Sequence, residues 1–219
     1  MIKLNIGLIG AGTIGRFLLE KINLEKRLPG FKVTSVLDER SKSKGVLEKL
    51  SHTYDFEYHQ ELHAFLNGPI DIVVECANVD LVKQYAKDIV KKKDFFIISI
   101  GALVDMTFYE ELRTLVRSMD RNIYLPSGAI GGLDVIKSAN VMGGLDSVSL
   151  TTRKPAQALT DGDDVIDKEK VVFDGVAKDA IVQFPKNANV SIILSLAGVG
   201  VENTKVKIIM DPSVERNIQ

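Results

Sequence analysis

Leu4-Asn5-Ile6-Gly7-Leu8-Ile9-Gly10-Ala11-Gly12-Thr13-Ile14-Gly15 is the stretch that decides the fold. An apolar run too short for a helix leads straight into Gly10-x-Gly12-x-x-Gly15, and Arg16-Phe17-Leu18-Leu19-Glu20-Lys21 then follows at helical period. The pattern is strand, tight turn, helix. In such a turn the first glycine takes a backbone angle closed to other residues. The second lets the main chain approach a pyrophosphate with no Cβ in the way, and the third lets the helix pack close to the strand. The helix start, with Thr13 and Ile14, then turns N–H groups and a positive dipole end toward the phosphates.

A glycine triplet alone is a weak signal, so its surroundings decide. A second apolar strand, Phe31-Lys32-Val33-Thr34-Ser35-Val36-Leu37, closes on Asp38, 23 positions beyond Gly15. A carboxylate there accepts hydrogen bonds from the ribose hydroxyls of an adenosine half, which makes the whole a dinucleotide-binding fingerprint. Asp38 favours a cofactor without a 2′-phosphate. Arg40, Lys42 and Lys44, just beyond it, stand where such a phosphate would lie, so both NAD and NADP stay open as cofactors.

Outward from this motif, strands are expected at 3–9, 32–37, 71–76, 95–100 and 122–126, and helices at 14–26, 43–50, 60–67, 79–92 and 106–119. Apolar, β-branched strands alternating with helices imply a parallel sheet covered on both faces. The expected fold is α/β: an N-terminal Rossmann-type doubly wound parallel sheet over residues 1–125, followed by a smaller α+β domain over 126–219. In the latter, strands are expected at 146–153, 170–173 and 205–210, a helix at 177–183, and either a helix or a buried strand at 188–196. The polar loop 160–168 reads as exposed.

The 219 residues carry a net charge of −1, are 45% hydrophobic and contain one cysteine, Cys76. Near-neutral charge with no basic block argues against nucleic acid as a partner. No apolar run nears the ~20 residues that span a bilayer, no signal-peptide layout opens the chain, and a lone cysteine excludes an internal disulfide framework. A cytoplasmic protein with no membrane partner is the expectation.

In an open parallel sheet the carboxyl ends of strands line the ligand crevice. The ends Glu75-Cys76-Ala77-Asn78 and Ile98-Ser99-Ile100-Gly101-Ala102 are small or polar, so Cys76, Ala77 and Gly101 leave space for a nicotinamide ribose. Cys76 has no histidine partner in view and reads as a small hydrophobe rather than a nucleophile. His59 and His63 fall at i, i+4, but no third ligand accompanies them; they read as surface histidines, and no metal is expected. A second glycine cluster, Ser127-Gly128-Ala129-Ile130-Gly131-Gly132, precedes a helix at 133–140, which Asp134 is placed to cap. The second domain offers three cationic candidates for holding a substrate. Lys186, between Pro185 and Asn187, is the leading cation; Arg153 and Lys154 are the others, and each reads equally as a surface charge.

Together these segments resemble the L-aspartate dehydrogenases that use a nicotinamide dinucleotide. The likeness is carried by Gly10–Gly15, Pro126–Asp134, Thr151-Thr152-Arg153-Lys154-Pro155, Phe184-Pro185-Lys186-Asn187-Ala188-Asn189-Val190, and Thr204–Lys207 leading to Asp211-Pro212. It runs over nearly the whole chain. It implies oxidation of L-aspartate to iminoaspartate with hydride passing to NAD or NADP, release of oxaloacetate and ammonia or supply of nicotinamide-ring synthesis, and a homodimer. Cofactor contacts beyond the glycine turn fall on Ala129 and Asn189. The family's catalytic histidine falls on Gln219, in Asp211-Pro212-Ser213-Val214-Glu215-Arg216-Asn217-Ile218-Gln219. Glutamine takes up no proton near neutral pH. This leaves three expectations: a second domain incomplete at its C-terminus, a variant with the histidine replaced, or a catalytically impaired dinucleotide-binding or sensing protein. A dehydrogenase or reductase of another two-domain type, acting on semialdehydes or dihydrodipicolinate, lacks its nucleophilic cysteine setting or its paired late histidines here.

Overall fold

The computed structural model describes residues 4–39, 44–155, 168–184, 188–215 and 218. It divides into two compact units, Met1–Pro126 and Ser127–Gln219.

The first unit runs β1 (Leu4–Ile9), α1 (Thr13–Leu19), β2 (Phe31–Leu37), α2 (Lys44–Tyr54), β3 (Glu57–His59), α3 (Leu62–Leu66), β4 (Ile72–Glu75), α4 (Val79–Val90), β5 (Asp94–Ile97), α5 (Met106–Ser118) and β6 (Ile123–Tyr124). The strands form one sheet in the order β3-β2-β1-β4-β5-β6, every neighbouring pair parallel. The chain builds outward from β1 on one side and then, through β4, on the other. The carboxyl ends of β1 and β4 therefore stand side by side where the winding reverses, which is where open α/β sheets take ligands.

Both faces of the sheet are covered, as its unbroken apolar strands require. Ile6, Leu8, Val33 and Val36 pack with Leu19, Ile22, Leu47 and Phe56 on one face. On the other, Phe65 of α3 comes so close to β1 that a Cβ at Gly7 would lie 2.6 Å from its ring. Full burial of side chains such as Leu8 and Phe65 contributes roughly 1.5–3 kcal/mol each. Asn78 caps α4 by accepting from Leu81 N at 2.9 Å, and Asp105 caps α5 by accepting from Thr107 N and Phe108 N, both at 3.1 Å.

The doubly wound sheet agrees with the reading of the sequence, with instructive differences. β3 was not expected. It has three residues, is polar at both ends and sits at the sheet edge, so it carries no alternation to detect. Its presence removes His59 from any helix: His59 ends β3 with its side chain 9% exposed and its ring against Phe65, whereas His63 lies on α3. The pair shares no helix face, and His59 is not a surface residue. The first helix does not continue regularly to 26 but loosens after Leu19 into a π-helical turn, Glu20–Leu24, with Glu25 N donating to Glu20 O at 2.8 Å. β5 stops at Ile97 rather than 100. The next amides, of Ile98 and Ser99, donate to the side chain of Glu75 instead of to a strand, and the chain turns into a 3₁₀ segment, Ile100–Val104.

The second unit contains α6 (Leu133–Val141), β7 (Ser149–Lys154), β8 (Lys170–Val176), α7 (Ala177–Gln183), α8 (Ala188–Ala197) and β9 (Lys205–Met210). Its three strands order as β7-β9-β8, β9 being parallel to β7 and antiparallel to β8. Leu150, Thr152 and Lys154 alternate inward on β7 and Val206, Ile208 and Met210 on β9, while α7 and α8 supply Ala177, Ala180, Ile181, Ile192 and Leu194 to the core. The segment 188–196 is thus a helix, not a strand. Gly132, at φ +71°, takes the N-cap place of α6, and Asp134 stands in its first turn rather than capping it.

Candidate functional site

The glycine turn has the geometry its spacing requires. Gly10 has φ +94°, and a Cβ on it would lie 2.9 Å from Cys76 O and 3.2 Å from Ala77 Cα. A Cβ on Gly15 would lie 2.1 Å from Gly10 O. Gly12 differs from both: its φ is −75° and a Cβ on it would meet nothing within 4 Å. The first and third glycines are therefore required by the protein itself. The second keeps open a space that the protein leaves unfilled, as a site for pyrophosphate demands. Arg16 N, donating to Gly12 O at 3.0 Å, makes the first regular helical bond, so the N–H groups of Thr13, Ile14 and Gly15 precede it.

Around this turn lies a cavity of about 320 Å³, walled by Gly10 and Gly12 from the β1 turn, by Leu37, Asp38 and Glu39 from the end of β2, and by Cys76, Ala77, Asn78 and Leu81 from the end of β4 and the start of α4. Five residues singled out from sequence, Gly10, Gly12, Asp38, Cys76 and Ala77, meet here. The Asp38 carboxylate is 5% exposed and accepts from Ala11 N at 3.3 Å, so the glycine turn itself orients the group expected to face a ribose. Leu37, Glu39, Asn78 and Leu81 are not among the residues expected from sequence, although they lie at or beyond the same two strand ends as their neighbours. Glu39 accepts a short hydrogen bond from Tyr85 of α4. Burial first, and then this bond and the charge of Glu39, push the Tyr85 hydroxyl up to about 12.

Cys76 is partly buried, and burial together with the neighbouring Glu75 carboxylate pushes its thiol up to about 12. It remains a thiol at physiological pH and is no nucleophile. Glu75 itself is fully buried beneath the cavity wall, with four donors aimed at its carboxylate.

Gly101 lies in the 3₁₀ segment that follows β5, four residues past the end of that strand. Thr13 and Ile14 are exposed in the first turn of α1. Ala129 and Asn189 belong to the second unit: Ala129 is exposed in the turn that Ile130 N closes on Ser127 O at 3.3 Å, and Asn189 is exposed in the first turn of α8. Lys186 and Gln219 lie outside the described residues, as do Arg40 and Lys42.

Of the other candidate cations, Arg153 is committed to two carboxylates, Glu169 at 2.5 Å and Asp211 at 3.0 Å. Asp211 is held below the usual carboxylate range, first by hydrogen bonds from the hydroxyl and amide of Ser213 at 2.6 and 2.9 Å and then by Arg153. Lys154 points inward from β7, and burial lowers its pKa. Among the described residues no group of three or more His, Cys, Asp or Glu side chains could hold a metal ion, and no helix is long and apolar enough to cross a membrane.

Two family models match the chain: the NAD-binding domain of homoserine dehydrogenase over residues 10–126, and the C-terminal domain of aspartate dehydrogenase over 134–219. The L-aspartate dehydrogenase of Nitrosopumilus maritimus is 38% identical over 97% of this chain and 80% of its own. That of Methanocaldococcus jannaschii is 36% identical over 98% and 80%. The crystal structure of the aspartate dehydrogenase of Thermotoga maritima superposes with a TM-score of 0.78 at 32% identity, covering 98% of this chain and 81% of that one.

Proposed function

The chain belongs to the L-aspartate dehydrogenase family, and from that membership we propose that it oxidises L-aspartate to iminoaspartate with a nicotinamide dinucleotide as oxidant, the imine then hydrolysing to oxaloacetate and ammonia. The observation that carries the reading is the cavity at the ends of β1, β2 and β4, where the sequence fingerprint falls within the match to an NAD-binding domain.

The residues present fit the cofactor. Gly12 leaves room for a diphosphate beside the start of α1, and Asp38 presents a carboxylate to ribose hydroxyls. When bound, the dinucleotide supplies the acceptor for the hydride that leaves the substrate Cα. Two carboxylates, Asp38 and Glu39, follow the end of β2 at the cavity wall, and like charge repels a 2′-phosphate, so NAD is the favoured cofactor over NADP.

For the substrate, Lys186 is the cation proposed to grip a carboxylate, and Gln219 stands where the family has its histidine. Asn189 and Ala129 are proposed to meet the nicotinamide half. The same reading has the protein working in the cytoplasm as a homodimer and feeding nicotinamide-ring synthesis.

The test is direct. With NAD and L-aspartate, absorbance of the reduced cofactor rises, more slowly with NADP; Lys186→Gln raises KM for aspartate by about tenfold and leaves that for NAD in place. Absence of reduced cofactor with either dinucleotide, in a preparation that binds neither, overturns the reading.

A further inference from the structure

We infer that Glu75 is a positioning residue for the dinucleotide site: its carboxylate fixes the backbone wall against which the glycine turn is pressed. The inference rests on the cofactor reading above and adds a residue that touches no ligand.

Glu75 is the last residue of β4 and is 0% exposed. One carboxylate oxygen accepts from Ala77 N at 2.6 Å and Ser99 Oγ at 2.8 Å; the other accepts from Ile98 N at 3.2 Å and Ser99 N at 2.9 Å. Both oxygens thus carry two bonds each, and all four partners are donors, a set matched by a carboxylate and by no neutral side chain of the same length. Three of the four donors are backbone amides that lie past the ends of β4 and β5, where the ladder has stopped.

Burying a carboxylate is costly, and for holding two strands together an apolar side chain of similar volume serves as well or better. What the carboxylate provides instead is direction. It holds the peptide of Ala77 at a fixed place. That peptide is the one Gly10 packs against, its Cα lying 3.2 Å from where a Gly10 Cβ would be. Cys76, Ala77 and Asn78 then line the same cavity as Gly12. Backbone freed at Ala77 changes the width of the cavity beside the glycine turn, where the diphosphate is proposed to lie, without removing any ligand contact.

The chemistry separates the variants. In Glu75→Gln the amide oxygen still serves the Ile98 and Ser99 amides and the amide NH₂ can donate to the Ser99 hydroxyl, but the same NH₂ meets the Ala77 N–H donor to donor. Ser99→Ala removes one hydroxyl and adds neither bulk nor charge, so it keeps the question answerable if the Gln variant does not fold.

The experiment is titration of wild type, Glu75→Gln, Ser99→Ala and the double variant with NADH, followed by cofactor fluorescence at a temperature where circular dichroism shows each to be folded. Steady-state KM is measured for NAD and for L-aspartate. A positioning role predicts that Glu75→Gln weakens NADH binding by about tenfold, Ser99→Ala by less, and the double variant by less than the product of the two. KM for NAD rises with it while KM for L-aspartate at saturating NAD stays within about twofold. Variants that melt earlier but bind NADH as wild type does overturn the inference and make Glu75 scaffold alone. Wild type that binds neither NADH nor NAD overturns the cofactor reading itself, and the inference with it.

Discussion

Three glycines that look alike in the sequence have different duties, and single substitutions separate them. Gly15→Ala drives a Cβ to 2.1 Å from a backbone carbonyl that cannot swing aside. The expected result is a loss of at least about 2 kcal/mol of stability in denaturant titration, together with loss of dinucleotide binding. Gly12→Ala places its methyl in open space at an ordinary φ, so stability falls by no more than about 1 kcal/mol, the N-cap preference of glycine over alanine. NADH affinity nevertheless drops by about tenfold or more, because the methyl stands where the diphosphate approaches. An NADH affinity left unchanged by Gly12→Ala would show that the open space beside Gly12 has no ligand to serve. Cys76 gives a second test at this scale. Its thiol, pushed up to about 12, carries almost no thiolate at about pH 8.5, where a free cysteine is half ionised. Iodoacetamide is expected to label it more than tenfold slower than free cysteine in the native protein, and at the ordinary rate once unfolded; rapid native labelling would contradict the burial.

At the scale of elements, two caps of like chemistry divide stability from binding. Asp105→Ala and Asn78→Ala each strip a helix of its N-cap, α5 in one case and α4 in the other, at a cost of about 1 kcal/mol measured by urea unfolding. Only Asn78 faces the cavity, so only its variant is expected to weaken NADH binding as well. If both or neither did so, the cavity would not be the dinucleotide site. The same contrast explains what was legible in the sequence. Strand ends announced by an apolar run and a small residue, Ile9-Gly10 and Cys76-Ala77, were readable because period and turn chemistry agree there. β3 was not, since three edge residues carry no period. The early end of β5 was not either, because it is set by Glu75, a side chain more than twenty residues away that takes the amides a longer strand would have used. Glu39, two residues past the end of β2, and Leu81, in the first turn of α4, fall under the same rule that places ligands at the carboxyl ends of strands.

At the scale of the whole molecule, acid and cofactor are expected to act on different units, and hydrogen exchange can tell them apart. Dinucleotide bound at the ends of β1 and β4 stabilises the native state by mass action, so amides of the glycine turn and of Ala77 and Asn78 slow in its presence. Acid acts through carboxylates held below their usual range. Glu25, with Lys21 and Arg27, and Asp55, with Lys32, are of this kind in the first unit, but they pair at the surface, where salt screens them and pairs of this kind contribute little. Asp211 is different: 8% exposed, it ties the end of β9 to β7 through Arg153 and accepts two bonds from Ser213. A carboxylate whose folded pKa is depressed contributes stability above its unfolded pKa, near 4, and loses it as pH falls through the lower folded value. Below about pH 4, therefore, the amides of β7 and β9 are expected to exchange faster, and added salt leaves that acceleration largely in place. Asp211→Asn keeps an acceptor for Ser213 but gives up the charge on Arg153. It should be less stable than wild type at neutral pH, and the gap should close as the pH drops and wild type becomes neutral at the same position. Parallel curves for the two proteins across that range would mean that the Arg153 pair adds nothing, and that acid enters the second unit elsewhere.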